Sequence, residues 1–314
     1  MVTGERKYSV VVPVHNEAAT LPETLPALLA ATNPDRAEIT YVCNGCTDAS
    51  ADVIRHLAGP AVTLIEIPAR SKTAALNAAD AQLARFPRIY LDADILIEPG
   101  GIDALADVLI RGDADLVSPA LGFDTRRCTG LARAISDIWQ GLPHARQATF
   151  HAVIGLSASG RRRWGWFPDL IGDDIFMEAM IPADRRLLVG TVKAVTRPPR
   201  RFWTWVGVRA RWRRGERELS RMGVTVVRTA GQHQALLALL CRPKTAFAAA
   251  TFILARLLAE VASRFPQKRD RWFSDRPHHR QATIRPGENR MQPTSPVRRK
   301  MVGDERLELP TSSV

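Results

Sequence analysis

The first hundred residues alternate between two hydrophobic periods, and no other feature of the chain restricts its fold as tightly. Tyr8 to Val14 is β-branched and nearly all apolar, the pattern of a strand covered on both faces. Thr20 to Ala31 then places Leu21, Leu25, Leu28 and Leu29 along one helical face. Ile39 to Val42 predicts a second strand, Asp48 to Leu57 a second helix, and Val62 to Ile67 a third strand. Ser71 is placed to cap a helix running through Leu76 and Leu83, and Arg88 to Leu91 predicts a fourth strand. Strands separated by helices need crossover connections, which are right-handed and give a parallel sheet. The expected class is therefore α/β, a mostly parallel, doubly wound sheet with helices on both faces.

In such sheets ligands bind beyond the carboxyl ends of the strands, so the residues directly after each strand carry the functional information. They are strongly polar here: His15, Asn16 and Glu17 after the first, Asn44, Gly45 and Asp48 after the second, Arg70 and Lys72 after the third, Asp92 and Asp94 after the fourth. Neither a Gly-x-Gly-x-x-Gly turn nor a P-loop occurs among them, which excludes a classical dinucleotide site and a Walker-type NTPase. A ligand with phosphates would need a metal instead. Asp92-Ala93-Asp94 offers two carboxylates at i and i+2, inside an otherwise apolar stretch from Ile89 to Ile97. Acids in that setting are costly unless they meet a cation, and such a pair can share a divalent ion with a diphosphate.

Further along, Asp173-Asp174 opens a helix-like segment. Two readings stand side by side: carboxylates complementing the helix N-terminus, or a general base whose proton affinity a neighbouring like charge raises. The four cysteines are too few for a disulfide scaffold, and Cys43-Asn44-Gly45-Cys46, although spaced as a dithiol or half a zinc site, reads more simply as a turn leaving a strand.

Taken in order, these motifs resemble the family 2 glycosyltransferases, inverting enzymes of the GT-A fold that use nucleotide-sugar donors. The matching residues are Val11 to Glu17, Asn44 to Asp48, Lys72 to Asn77, Asp92 to Asp94, Gly172 to Asp174 and Arg209 to Trp212, spanning about residues 8–215. The resemblance implies that Pro13, Asn16, Glu17, Asn44, Lys72 and Asp92 line the donor-nucleotide pocket. It implies that Asp94, with Asp92, holds Mn²⁺ or Mg²⁺, and that Asp174, beside Asp173, deprotonates the acceptor hydroxyl. Arg211 and Trp212 fall where the family has an Arg-Trp pair near the diphosphate and acceptor. Three departures stand out: Cys43 and Asn44 replace two aspartates, the acidic pair is Asp-Asp and not Glu-Asp, and Val208 replaces a Gln of processive synthases, which points to single-sugar addition. The competing reading is a catalytically idle nucleotide-binding or scaffold relative at a membrane.

The net charge of +12 is unevenly distributed. Residues 1–190 hold 18 Lys/Arg against 23 Asp/Glu (−5), and residues 191–314 hold 26 against 9 (+17). Such a basic block is attracted to phosphate-bearing partners. Arg209, Arg213, Arg217 and Arg221 recur every four residues as a stripe near Trp203, Trp205 and Trp212, a pattern that fits either a solvated helix face or contact with an anionic membrane surface or a lipid-linked acceptor. Thr245 to Phe265 is apolar except for Arg256, Glu260 and Arg264 on one narrow face, which fits either core packing or, the preferred reading, interfacial docking on a membrane, and is too short and interrupted to span securely. The expected divisions are a transferase domain over 1–225, a helical segment over 226–265 and a basic, disordered tail over 266–314. The tail lacks a recognisable nucleic-acid module, so nucleic acid is not an expected partner. No run free of charge exceeds the 14 residues from Gln147 to Gly160, and the N-terminus lacks an export signal, which places the expected protein in the cytoplasm, peripheral to the inner face of the membrane.

Overall fold

The computed structural model describes residues 7–142, 150–224 and 231–265. Its elements, in order, are β1 (Tyr8–Val14), α1 (Leu21–Ala30), β2 (Ala37–Asn44), α2 (Ser50–Ala58), β3 (Thr63–Ile67), α3 (Lys72–Asp80), β4 (Arg88–Leu91), β5 (Leu96–Ile97) and α4 (Gly101–Arg111). There follow β6 (Leu116–Phe123), α5 (Gly130–Gly141), β7 (Val153–Leu156), α6 (Ala158–Arg161), α7 (Asp173–Met180), β8 (Arg186–Thr196), α8 (Phe202–Arg221), α9 (Gln232–Leu240) and α10 (Pro243–Arg264).

The strands form one sheet in the order β3-β2-β1-β4-β7-β6-β8-β5. The first four run parallel, as their helical crossovers require. Beyond them the sheet becomes mixed: β7 lies antiparallel between β4 and β6, while β6 and β8 are parallel. All seven residues of β1 are buried, and their alternation feeds two layers. Val10, Val12 and Val14 pack with α1, α2 and α4, whereas Val11 packs with Leu76 of α3 and Phe176 of α7. Alternate faces of a buried strand thus explain its unbroken apolar run.

Strand order reverses at β1, which pairs with β2 through Val14 but with β4 only through Val11. The sheet therefore opens between the ends of β1 and β4, the kind of switch point where α/β sheets bind ligands. A buried ion network fixes the far end of α3 beneath this opening. Asp80 accepts from Arg88 at 2.6 Å and from the Tyr90 hydroxyl at 2.9 Å, and pairs with Arg161 at 2.7 Å. Asn77 adds a reciprocal pair of bonds to the backbone of Phe167, at 2.9 and 2.8 Å, which ties α3 to the segment leading into α7.

A third core joins the C-terminal helices to α5. Ile135 and Ile138 of α5, Trp205 and Ala210 of α8, Leu236 of α9, and Ala249, Phe252 and Ala255 of α10 are buried together. The arginine stripe of α8 is knitted into this assembly. Glu260 of α10 pairs with Arg213 at 3.2 Å and with Arg217 at 2.5 Å, and Glu216 pairs with Arg213 at 2.6 Å. Arg209, half-buried, packs its guanidinium against the rings of both Trp139 and Trp212. Of the expected stripe, three arginines thus serve helix packing. The predicted tail, 266–314, lies outside the described residues.

Candidate active site

One wall of the opening is built from the loops after β1 and β2, which clasp each other. The Asn16 side chain accepts from the Thr47 backbone N–H at 2.7 Å and donates to the Thr47 hydroxyl at 3.2 Å. Asn16 adopts φ +57°, a left-handed conformation that asparagine tolerates better than most residues. The Glu17 N–H donates to the Ser50 hydroxyl at 2.8 Å, and the Ala18 N–H to Asp48 at 3.0 Å. Gly45 has φ +59°, and a Cβ there would stand 2.4 Å from Cγ of Arg70, so only glycine fits the turn out of β2. Directly before it, the Asn44 amide is 1% exposed, and neither its oxygen nor its nitrogen has a hydrogen-bond partner. Buried polar atoms are seldom left in that state unless a ligand completes them. Cys43 and Cys46 are free thiols, and among the described residues no three His, Cys, Asp or Glu side chains form a protein-only metal cage.

Across the opening, an acidic group gathers at the ends of β4 and α7 around the first residue of α3. The Ser71 hydroxyl caps α3 by accepting from the Ala74 N–H at 3.3 Å, and so sets the direction in which Lys72 leaves the helix. Lys72 Nζ reaches Asp92 at 2.7 Å and Asp173 at 2.9 Å. Burial alone would lower the Lys72 ammonium, but Asp173, Asp92 and Asp174 more than reverse this and hold it above its ordinary value. Burial, opposed by Lys72 and reinforced by Asp174, pushes the Asp173 carboxyl up to about 6. Burial, with repulsion from Asp92, likewise pushes Asp94 up to about 6. Asp174 is raised chiefly by burial, with Lys72 opposing. Four carboxylates thus share two nearby cations, Lys72 and Arg211, the latter acting on both Asp94 and Asp174. The two acids of α7 differ in access: Asp173 is buried on Lys72, whereas Asp174 is partly open to solvent, with one oxygen bonded to the Ile175 N–H at 2.8 Å.

Residues 9–163 match the model of the glycosyl transferase family 2. The chain belongs to the family 2 glycosyltransferases. Among solved structures, the mannosyltransferase PcManGT from Pyrobaculum calidifontis, in complex with GDP-Man and Mn²⁺, is 21% identical, with a TM-score of 0.53 over 83% of this chain and 76% of that one. Glucosyl-3-phosphoglycerate synthase from Mycobacterium tuberculosis, in complex with Mn²⁺, UDP-glucose and phosphoglyceric acid, is 19% identical, with a TM-score of 0.50 over 72% of this chain and 82% of that one. No curated protein matches the sequence. The sheet and its flanking helices are the GT-A fold.

In this glycosyltransferase the structure brings Lys72, Asp92, Asp94, Asp173, Asp174 and Arg211 into one charged cluster, and sets Pro13, Asn16, Glu17 and Asn44 at the ends of the neighbouring strands β1 and β2. It separates the Arg-Trp pair. Trp212 packs on Trp139 of α5, ring centroids 5.5 Å apart, and serves the helical core while Arg211 turns to the acids. A site member that sequence reading missed is His151, which feels Asp92 and Lys72 and whose imidazole is lowered mainly by burial. It precedes Ala152, at φ +65°, whose carbonyl accepts the Asp92 N–H at 2.8 Å. The available signal was a single titratable side chain inside the 14-residue stretch free of Asp, Glu, Lys and Arg.

Proposed function

We propose that this glycosyltransferase moves a sugar from a nucleoside-diphosphate donor to an acceptor hydroxyl by direct displacement, with inversion at the anomeric carbon. The observation that carries the reading is the unequal pair on α7, with Asp173 held on Lys72 and Asp174 open beside it. An acid already bonded to an ammonium is a poor base, so the proton-accepting role falls to Asp174. Its raised proton affinity moves it toward the working pH, as general-base catalysis requires.

The donor set fits a divalent cation. Asp92 and Asp94 are hard oxygen ligands two residues apart, and Asp94 stands raised by burial and by repulsion from Asp92. Two carboxylates leave most coordination positions to phosphate oxygens and water, the habit of Mg²⁺ and Mn²⁺ in nucleotide sites. When bound, such an ion neutralises charge on the departing diphosphate. The protein's own steps follow. Asn16, Glu17 and the unsatisfied Asn44 amide hold the nucleotide at the ends of β1 and β2. The acceptor oxygen bonds to the anomeric carbon as its proton passes to Asp174, and the carbon–oxygen bond to the diphosphate breaks, its electron pair leaving with the nucleoside diphosphate. Arg211 lies near both Asp94 and Asp174, where it balances the charge that moves between them.

The test is release of nucleoside diphosphate from UDP-, GDP- and dTDP-sugars with Mn²⁺, compared among wild type, Asp94→Ala and Asp174→Asn. The expected result is metal-dependent release with one donor, lost in both variants, with donor binding retained in Asp174→Asn. Wild-type protein that binds no nucleotide would overturn the proposal, and binding without turnover toward any acceptor would establish the idle relative.

A further inference from the structure

We infer that the outer face of α10 is a docking surface for an anionic lipid bilayer, which the transferase meets as a peripheral protein. Phe247, Ala250, Leu254, Leu257, Val261 and Phe265 recur at spacings of three and four and are all exposed, Phe247 by 71% and Leu257 by 61%. Those spacings line up one face of a helix. A continuous exposed apolar stripe marks an interaction surface. Its charged surroundings select the partner. Arg242 and Lys244 stand exposed at one end and Arg264 at the other, whereas the acid of this helix, Glu260, is two-thirds covered and is shared by Arg213, Arg217 and, at 4.0 Å, Arg264. Arg242 and Lys244 also occupy the helix N-terminus, where the dipole disfavours cations, so helix stability does not account for them. An apolar stripe with a net cationic border complements a hydrocarbon layer beneath acidic headgroups.

Other occupants fit less well. A two-fold contact with a second copy would set these cations against their own images. Residues 266–314 carry 11 Lys/Arg against 6 Asp/Glu, so the rest of the chain has the same sign as the stripe's border. Spanning is also disfavoured, although α10 is the one helix among the described residues long and apolar enough for it. Its opposite face, with Ala249, Phe252, Ala255 and Ala259, is committed to α5 and α8. The helix therefore lies along the surface and exposes one side.

The experiment is flotation of the full chain with vesicles of equimolar phosphatidylglycerol and phosphatidylcholine, against vesicles of phosphatidylcholine alone. The protein should float with the anionic vesicles, come off in high salt or alkaline carbonate, and stay down with the neutral ones. Leu254→Glu with Leu257→Glu should weaken binding by at least about a hundredfold, and Lys244→Gln about fivefold. Both changes lie on exposed positions, so thermal unfolding and nucleotide-sugar hydrolysis should match wild type. Failure to float, or equal binding to neutral vesicles, would overturn the inference. So would resistance to carbonate, which would make α10 a spanning helix, or a dimer in sedimentation that Leu254→Glu dissolves.

Discussion

Two clusters of charge occupy this molecule, and they are built to opposite ends. Around Lys72, the carboxylates of Asp92, Asp94, Asp173 and Asp174 outnumber the cations that reach them, and Asp94 and Asp173 are pushed up to about 6. On α8 and α10, Arg213 and Arg217 meet Glu216 and Glu260 at 2.5 to 3.2 Å, with Arg209 and Arg264 farther out at 3.8 and 4.0 Å, so each acid there is answered by more than one arginine. Both lie in partly buried ground, where an unpaired charge is expensive. On the function proposed above, the first takes up a cation and a phosphate, whereas the second binds helices. Acids left short of cations are the mark of a site, and acids wholly paired between helices are the mark of a joint.

The sharpest way to break the comparison is at the incomplete cluster. Asp94→Asn and Asp174→Asn should each lower turnover by about a thousandfold, roughly 4 kcal/mol of transition-state stabilisation. Metal-free stability should not fall with Asp94→Asn. The Asp94 carboxyl stands above its unfolded value, so its charged form opposes folding once pH rises through about 6, and removing that charge relieves the fold. Thermal unfolding at neutral pH with a chelator checks the sign. A clear loss of stability there would mean that this cluster, too, is structural.

Lys72→Met should be the next largest. It strands Asp92 and Asp173 without their shared ammonium, and breaking a buried pair in this one-sided way costs about 3 kcal/mol. Asp173→Asn added to Lys72→Met should recover part of that stability, because it removes one of the stranded charges. Denaturant unfolding of the single and double variants measures the recovery.

How far this contrast was legible in the sequence depends on how local its signals are. The strand-end acids could be read because each follows a short apolar run, and β1 to β4 declared themselves by period. Lys72 could be placed near the site because it follows the third strand. That its partners include Asp173, a hundred residues away, could not be read, because an ion pair leaves no trace in local pattern. The same holds on α8, where the four-residue period of the arginines was visible but their engagement by Glu260 was not. The antiparallel β7 was missed because four apolar residues, Val153 to Leu156, carry no period long enough to identify a strand.

At the helix-joining cluster, Glu260→Gln should destabilise the helical cap by about 1–2 kcal/mol, since the glutamate is a third exposed and solvent screens part of its pairing. Hydrogen exchange should rise in α10 and stay unchanged in β1 to β4. Donor hydrolysis should be kept. If activity fell together with cap stability, α8 would be transmitting the change to Arg211, and the two clusters would be one system.

The smallest expected effect comes from Asp115, a buried carboxylate of the satisfied kind that calibrates the other two groups. Burial alone would raise it, yet Ser157 and Ser159 each donate to it at 2.6 Å and Arg185 at 3.1 Å, and together they hold it down at about 2. Its folded value lies below the unfolded one of about 3.9, so its contribution is complete above that pH and is lost as pH falls toward 2. Asp115→Asn should therefore cost about 1 kcal/mol at neutral pH and nothing near pH 2. Asp94 should show the opposite dependence in metal-free protein, because hydrogen bonds answer one buried acid while burial and the neighbouring Asp92 oppose charge on the other.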